Sequence, residues 1–231
     1  MIEFIHVTKY FKKNWPVLED INLTIARGEF VCLLGNSGSG KTTLLYHIYM
    51  KELPSSGQVI VDELSSQNIR KKDIPLLRRK VGMIFQEFYL LNDRSVFENI
   101  ALPLRLCGIS QGEIKKRAFK ALSYAGLSHK MNELPPYLSS GEKQRICIAR
   151  ALVNEPIVLL ADEPTGNLDA ENAEYIMRLL RNIHAQGTAV VVATHKTEFA
   201  GLVPCRTVRI AGGKIADGDS VMLSGTPRVL P

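Results

Sequence analysis

The run from Phe30 to Tyr49 restricts the possible folds more than any other part of this chain. Phe30-Val31-Cys32-Leu33-Leu34 is apolar without interruption, as a strand covered on both faces requires. Gly35-Asn36-Ser37-Gly38-Ser39-Gly40-Lys41-Thr42 follows, and Thr43-Leu44-Leu45-Tyr46-His47-Ile48-Tyr49 reads as a helix. Strand, glycine-rich loop and helix in that order are the setting in which G-x-x-x-x-G-K-[ST] cradles nucleotide phosphates. The glycines let backbone N–H groups close on phosphate oxygens where a Cβ would crowd them. The helix N-terminus adds partial positive charge. Gly35 through Thr43 are therefore candidate phosphate-binding residues, with Lys41 placed for the β/γ-phosphates and Thr42 for Mg²⁺. The expected fold is α/β with a mainly parallel sheet.

A second phosphate element lies about 120 residues on. Ile157-Val158-Leu159-Leu160-Ala161 reads as another buried parallel strand and ends in Asp162-Glu163-Pro164. Carboxylates at the C-terminal end of such a strand sit on the ligand-binding edge of an open α/β sheet. Asp162 fits a Mg²⁺ partner, and Glu163 is then free to orient and deprotonate an attacking water. A third strand, Thr188-Ala189-Val190-Val191-Val192-Ala193, ends in Thr194-His195 and brings an imidazole to the same edge. His195 is the candidate hydrogen-bond donor to a γ-phosphate. His6, His47, His129 and His184 have no such placement and read as structural or surface residues.

Between the two phosphate elements stands Leu138-Ser139-Ser140-Gly141-Glu142-Lys143-Gln144-Arg145, which resembles the signature motif of ABC-type ATPases. Gln86 is similar to that family's Q-loop glutamine, Gly166-Asn167-Leu168-Asp169 to its D-loop, and His195 to its switch histidine. Phe11 falls where the family places an aromatic that stacks on adenine, with Tyr10 one position away. The resemblance runs from about residue 2 to about residue 215. It implies a P-loop ATPase core with an N-terminal antiparallel β part and an inserted helical lobe. It also implies ATP and Mg²⁺ as ligands, with Gln86 joining Thr42 and Asp162 at the metal and Gln86, Glu163 and His195 as catalytic residues. Two copies are expected to pack head to tail. Ser139, Ser140, Gly141, Glu142 and Asp169 would then serve the ATP held by the partner's phosphate loop, ATP acting as the glue of the dimer. One departure stands out: Ser140 occupies the first of two positions usually held by glycine, and its Cβ narrows the accessible backbone conformations. Weaker nucleotide sandwiching is the expected consequence.

At 231 residues the chain is expected to be one ATPase domain, with a core at about 1–87 and 156–215, a helical lobe at about 88–155 and a tail at about 216–231. Residues 2–34 read as short strands with a turn at Arg27-Gly28-Glu29. Pro54-Ser55-Ser56-Gly57 reads as a turn before a strand at 58–61, and the tail lacks helical or strand periodicity. No run approaches the 18 or so apolar residues of a membrane span. Cys32, Cys107, Cys147 and Cys205 show neither zinc spacing nor a disulfide framework, so a reducing cytoplasm is expected. The net charge of +6 is spread over clusters such as Arg70-Lys71-Lys72 and Arg78-Arg79-Lys80. No aromatic-interleaved basic platform accompanies them, so a nucleic-acid partner is not expected.

Asp73 through Gln86 and Leu90-Leu91-Asn92-Asp93-Arg94-Ser95-Val96 are similar to the cell-division branch of the ABC family. That resemblance implies an integral membrane partner of FtsX type, gripped by residues about 87–105, and control of cell-wall hydrolases from the inner face of the cell membrane. Phe88, Tyr89, Leu90 and Leu91 would form the socket, with Asp93 and Arg94 fixing register. The alternatives are a lipoprotein-releasing or macrolide-type exporter subunit, which shares the ATP chemistry, and a soluble ABC ATPase, which usually carries two ATPase units.

Overall fold

The computed structural model describes residues 1–12, 15–197, 201–216 and the backbone of 221–222. The chain begins with two long antiparallel strands, β1 (Ile2–Lys12) and β2 (Trp15–Ile25). Their inward residues, among them Ile2, Phe4, Val7, Leu18, Ile21 and Ile25, are buried. These strands are longer than the short ones expected, because the apolar alternation is broken at two bulged positions. His6 and Asp20 take left-handed φ of 48° and 50° there, and the register shifts between Phe4 and Val7. The two side chains meet on the surface, His6 Nδ1 lying 2.8 Å from Asp20 Oδ1.

A second sheet holds five parallel strands. These are β3 (Phe30–Leu34), β6 (Val81–Ile84), β7 (Val158–Asp162), β8 (Ala189–Thr194) and β9 (Arg206–Ala211). Two strands of the first sheet intervene in the chain, β4 (Ser56–Val61) and β5 (Leu64–Ser65), completing the order β2-β1-β4-β5. The larger sheet ends in β10 (Lys214–Ile215) and runs β10-β9-β3-β8-β7-β6, with β11 (Val221–Met222) also pairing with β9. Every residue of β3, β6, β7 and β8 is buried, as the continuous apolar runs require. β4 starts two residues earlier than expected. Two residues of the tail pair with β9 as β11, too few to leave a periodicity; the rest of the tail reading, at 217–220 and 223–231, lies outside the described residues.

Among the described residues six α-helices complete the fold: α1 (Lys41–Ile48), α2 (Ile74–Lys80), α3 (Val96–Leu106), α4 (Gln111–Tyr124), α5 (Ser140–Leu152) and α6 (Ala170–Ala185). Leu44, Leu45 and Ile48 of α1 pack one face of the parallel sheet against the first sheet. Ile176, Leu180 and Ile183 of α6, with Ile148 of α5, cover the other face. Ile100, Leu104, Ile114, Leu122 and Ile146 form a separate apolar cluster among α3, α4 and α5. Each such side chain contributes roughly 1.5–3 kcal/mol when fully buried. Among the described residues no helix is long and apolar enough to cross a membrane.

Candidate functional site

The parallel strands all point their C-terminal ends toward one edge, which gathers the phosphate loop after β3, Gln86 after β6, Asp162 at the end of β7 and His195 after β8. The loop turns into α1 through Gly40, whose φ of 107° only glycine adopts without strain. A methyl group there would also come within 2.6 Å of the Leu18 side chain and 2.8 Å of the Val17 carbonyl. Lys41 is buried and its Nζ donates to the carbonyl oxygens of Gly35 at 2.8 Å and Asn36 at 3.1 Å. These bonds hold the ammonium against the loop, beside the cleft that Lys41 lines.

Thr42 Oγ1 donates to Asp162 Oδ1 at 3.1 Å, joining the two phosphate elements across 120 residues of chain. Burial pushes the Asp162 carboxyl above its ordinary range and the neighbouring Glu163 charge adds to this, while the Thr42 hydrogen bond and Lys41 oppose it. Thr42, Asp162 and Gln86 line one recess of about 320 Å³. Hydroxyl, carboxylate and carboxamide oxygens are the hard donors Mg²⁺ takes, so this donor set fits that ion.

Glu163 has a left-handed φ of 44°, an uncommon conformation for a residue with a Cβ. Its N–H donates to the Ala193 carbonyl at 2.8 Å, which anchors β7 to β8 at that point. Its carboxylate is held from three sides. His195 Nδ1 lies 3.0 Å from Oε1, Thr194 Oγ1 donates to Oε2 at 3.2 Å, and Lys41 Nζ lies 3.9 Å from Oε1. The backbone is thus strained where the side chain is held from three sides.

A cleft of about 510 Å³ unites Asn36, Ser37, Gly38, Gly40, Lys41, Thr42, Thr43, Gln86, Glu163 and His195. Gly35 and Ser39 line an adjoining cavity of about 430 Å³ that also touches His195. Three further residues line the 510 Å³ cleft, Val17, Gly166 and Asn167, which the sequence had not marked as binding residues. Asn167 was visible within the Gly166-Asn167-Leu168-Asp169 motif, whereas Val17 carries no sequence signal. Thr194 was likewise missed, although it directly precedes His195.

Phe11 and residues 139–142 do not line these cavities. Phe11 is exposed near the end of β1, with Lys9 Nζ 5.0 Å from its ring centroid. Ser139 caps α5. Its side chain accepts from Glu142 N at 3.2 Å while Glu142 Oε2 accepts from Ser139 N at 2.8 Å. These bonds hold the Glu142 carboxyl below its usual range, the bond to the Ser139 N–H first. Ser140 begins α5 with no left-handed backbone requirement. The conformational cost expected of serine at this position therefore does not arise. Gly141 is buried against α6, and Asp169 caps that helix by accepting from Asn172 N at 2.8 Å.

The ABC transporter family profile matches residues 18–166. The cell division ATP-binding protein FtsE of Bacillus subtilis strain 168 is 42% identical over 220 residues, covering 95% of this chain and 96% of that protein. The protein of the same name from Mycobacterium tuberculosis is 42% identical over 229 residues, covering 99% and 100%. Among solved structures, the dimeric post-hydrolysis state of the ATP-binding cassette MJ0796, bound to ADP and Pi, superposes with a TM-score of 0.85 at 36% identity, over 93% of this chain and 96% of that one. Phosphate loop, paired carboxylates, capped signature turn and sheet order thus accord with overall similarity, and the chain belongs to the ABC transporter family as a nucleotide-binding ATP hydrolase similar to the FtsE proteins.

Proposed function

We propose that two copies of this chain close head to tail on two Mg·ATP and that hydrolysis, relayed through the helical lobe, drives an integral membrane protein of FtsX type in cell division. One observation carries the dimer. Residues 139–142 form a firmly capped turn at a helix N-terminus, yet none of them lines the cleft that holds Lys41 and Glu163. A turn built to meet an anion but remote from its own chain's phosphate loop fits the nucleotide of a second chain.

Within the cleft, Lys41 exchanges its carbonyl partners for β/γ-phosphate oxygens, a charge-assisted contact stronger than those it leaves. Thr42, Asp162 and Gln86 would hold Mg²⁺, which neutralises charge on the transferring phosphoryl group. Glu163, gripped by His195 and Thr194, orients the attacking water and takes its proton. His195, which lines the same cleft, would donate to the γ-phosphate while still steering Glu163. Ser139 keeps its hydroxyl proton free, because its oxygen is the acceptor in the cap. Phe11, with more than half its surface exposed, is the adenine platform.

The membrane partner is supported by the FtsE relatives and by the exposed residues that follow Gln86. Tyr89 and Leu91 are exposed, whereas Phe88 and Leu90 pack into the apolar clusters, so the first pair serves the socket and the second supports it. Asp93 and Arg94 are exposed, their side chains 3.7 Å apart. The chain would sit on the inner face of the cell membrane. Capture from native membranes with tagged Glu163→Gln protein and Mg·ATP tests this reading. An FtsX-type protein is the expected catch; an exporter permease, or no membrane protein, would refute it.

A further inference from the structure

Asp169 and Gly141 belong to different motifs, on different helices, yet a single side chain touches both. The backbone N–H of Asn172 donates to Asp169 Oδ1 at 2.8 Å, and its Nδ2 donates to Asp169 Oδ2 at 2.8 Å. Both carboxylate oxygens of the aspartate are therefore held by one residue. The oxygen end of the same carboxamide lies close against Gly141. A methyl group on Gly141 would overlap Asn172 Oδ1 and come within 2.7 Å of Cγ. One turn further along both helices the Arg145 guanidinium lies over the Tyr175 ring at 5.1 Å. Positions 141 and 145 of α5 thus face 172 and 175 of α6.

We infer that Asn172 is a positioning residue that locks the turn at Ser139–Gly141 to the aspartate turn at Asp169, so that one chain presents both to its partner copy as a single rigid surface. This inference rests on the head-to-tail dimer proposed above. Asparagine suits the task physically. It supplies the donor that Asp169 needs and a small group that packs closely against a glycine. Leucine has the bulk without the donor, and aspartate would set two carboxylates together. The contact also accounts for glycine at 141 while serine stands at 140, since Gly141 is buried against α6 and Ser140 is exposed. The Asn172 N–H and carboxamide hold the Asp169 carboxyl below its ordinary range, so it stays ionised where it would face a neighbour.

Sedimentation of Glu163→Gln protein in Mg·ATP tests the inference, with Asn172→Ala and Asn172→Leu added in turn. The expected result is dimer affinity weakened tenfold or more by either change, while a fluorescent ATP analogue binds monomer within twofold of the parent. In chains retaining Glu163, kcat should fall with KM unchanged. Gly141→Ala should weaken the dimer similarly, and adding Asn172→Ala should cost little more, because both changes break the same contact. Equal dimerisation with and without Asn172 would overturn the inference alone. A Glu163→Gln chain that stays monomeric in Mg·ATP would overturn both the dimer and the inference.

Discussion

His47 offers a quantitative test of how the phosphate loop is supported. It lies on α1 within two turns of Lys41 and Thr42 and has no exposed surface. Its Nδ1 is 3.0 Å from the Glu52 carbonyl oxygen, which fixes that nitrogen as the donor, and Nε2 has no partner among the described residues. Burial lowers its pKa from 6.5 to about 4, with Lys9 adding repulsion and Glu52 opposing. Below pH 6.5 the unfolded chain takes up a proton that the folded chain refuses. Stability is therefore complete above that pH and falls as pH drops toward 4, at about 1.4 kcal/mol per pH step. About 2 kcal/mol should be lost by pH 5 and about 3 kcal/mol by pH 4. His47→Asn keeps a donor for Glu52 and cannot titrate. Urea denaturation of both proteins at pH 7 and pH 5 isolates the effect, because carboxylates common to both cancel in the difference. The wild type should lose about 2 kcal/mol more than the variant over that interval. Parallel profiles would show that His47 is hydrated or already protonated in the folded chain, and would refute the buried neutral imidazole.

Two further substitutions probe the site and its connection to the lobe. Thr42→Val should leave Asp162 without its hydroxyl donor, costing about 1–3 kcal/mol in thermal denaturation, and should abolish Mg²⁺-dependent turnover; turnover within twofold of wild type would remove Thr42 from the metal. Arg150 donates to the carbonyl oxygens of Tyr89 at 2.6 Å and Phe88 at 2.7 Å, tying α5 to the segment after Gln86. Arg150→Ala should therefore weaken capture of the membrane partner while monomer ATP affinity stays within twofold; undiminished capture would show that this tie does not shape the socket.

Much of the site was legible because its chemistry is local in sequence. Residues 35–40 had to form a loop once Phe30–Leu34 was read as a strand, and β3 spans those five residues while α1 starts at Lys41. Asp162 and His195 fell on the same edge because parallel strands share a direction, a property of topology that continuous apolar runs already imply. Glu163 was legible as a residue but not as a strained one, since no local pattern marks its positive φ, and its N–H partner, Ala193, lies 30 positions away. The capping box at Ser139 and Glu142 was in view as S-x-x-E, yet the motif had been read for its partner rather than for the helix it starts. That Ser140 begins α5 without a left-handed φ is legible only in the structure. The contact of Asn172 with Gly141 joins residues 31 apart with no pattern between them, so only packing discloses it. Helix α2 was hidden because Pro75 and four basic or acidic neighbours mask a single buried position, Leu77. The length of β1 and β2 escaped notice for a similar reason, their bulges breaking the alternation that marks a strand.

Glu163 carries the central claim, that this cleft hydrolyses ATP and does so between two chains. Turnover and sedimentation of wild-type and Glu163→Gln protein in Mg·ATP address both parts at once. Loss of the general base should lower kcat by at least about a hundredfold, leave ATP affinity within a few-fold of wild type, and let the ATP-bound dimer accumulate. Unchanged hydrolysis by the Glu163→Gln chain, or a chain that binds ATP and stays monomeric throughout, would contradict it.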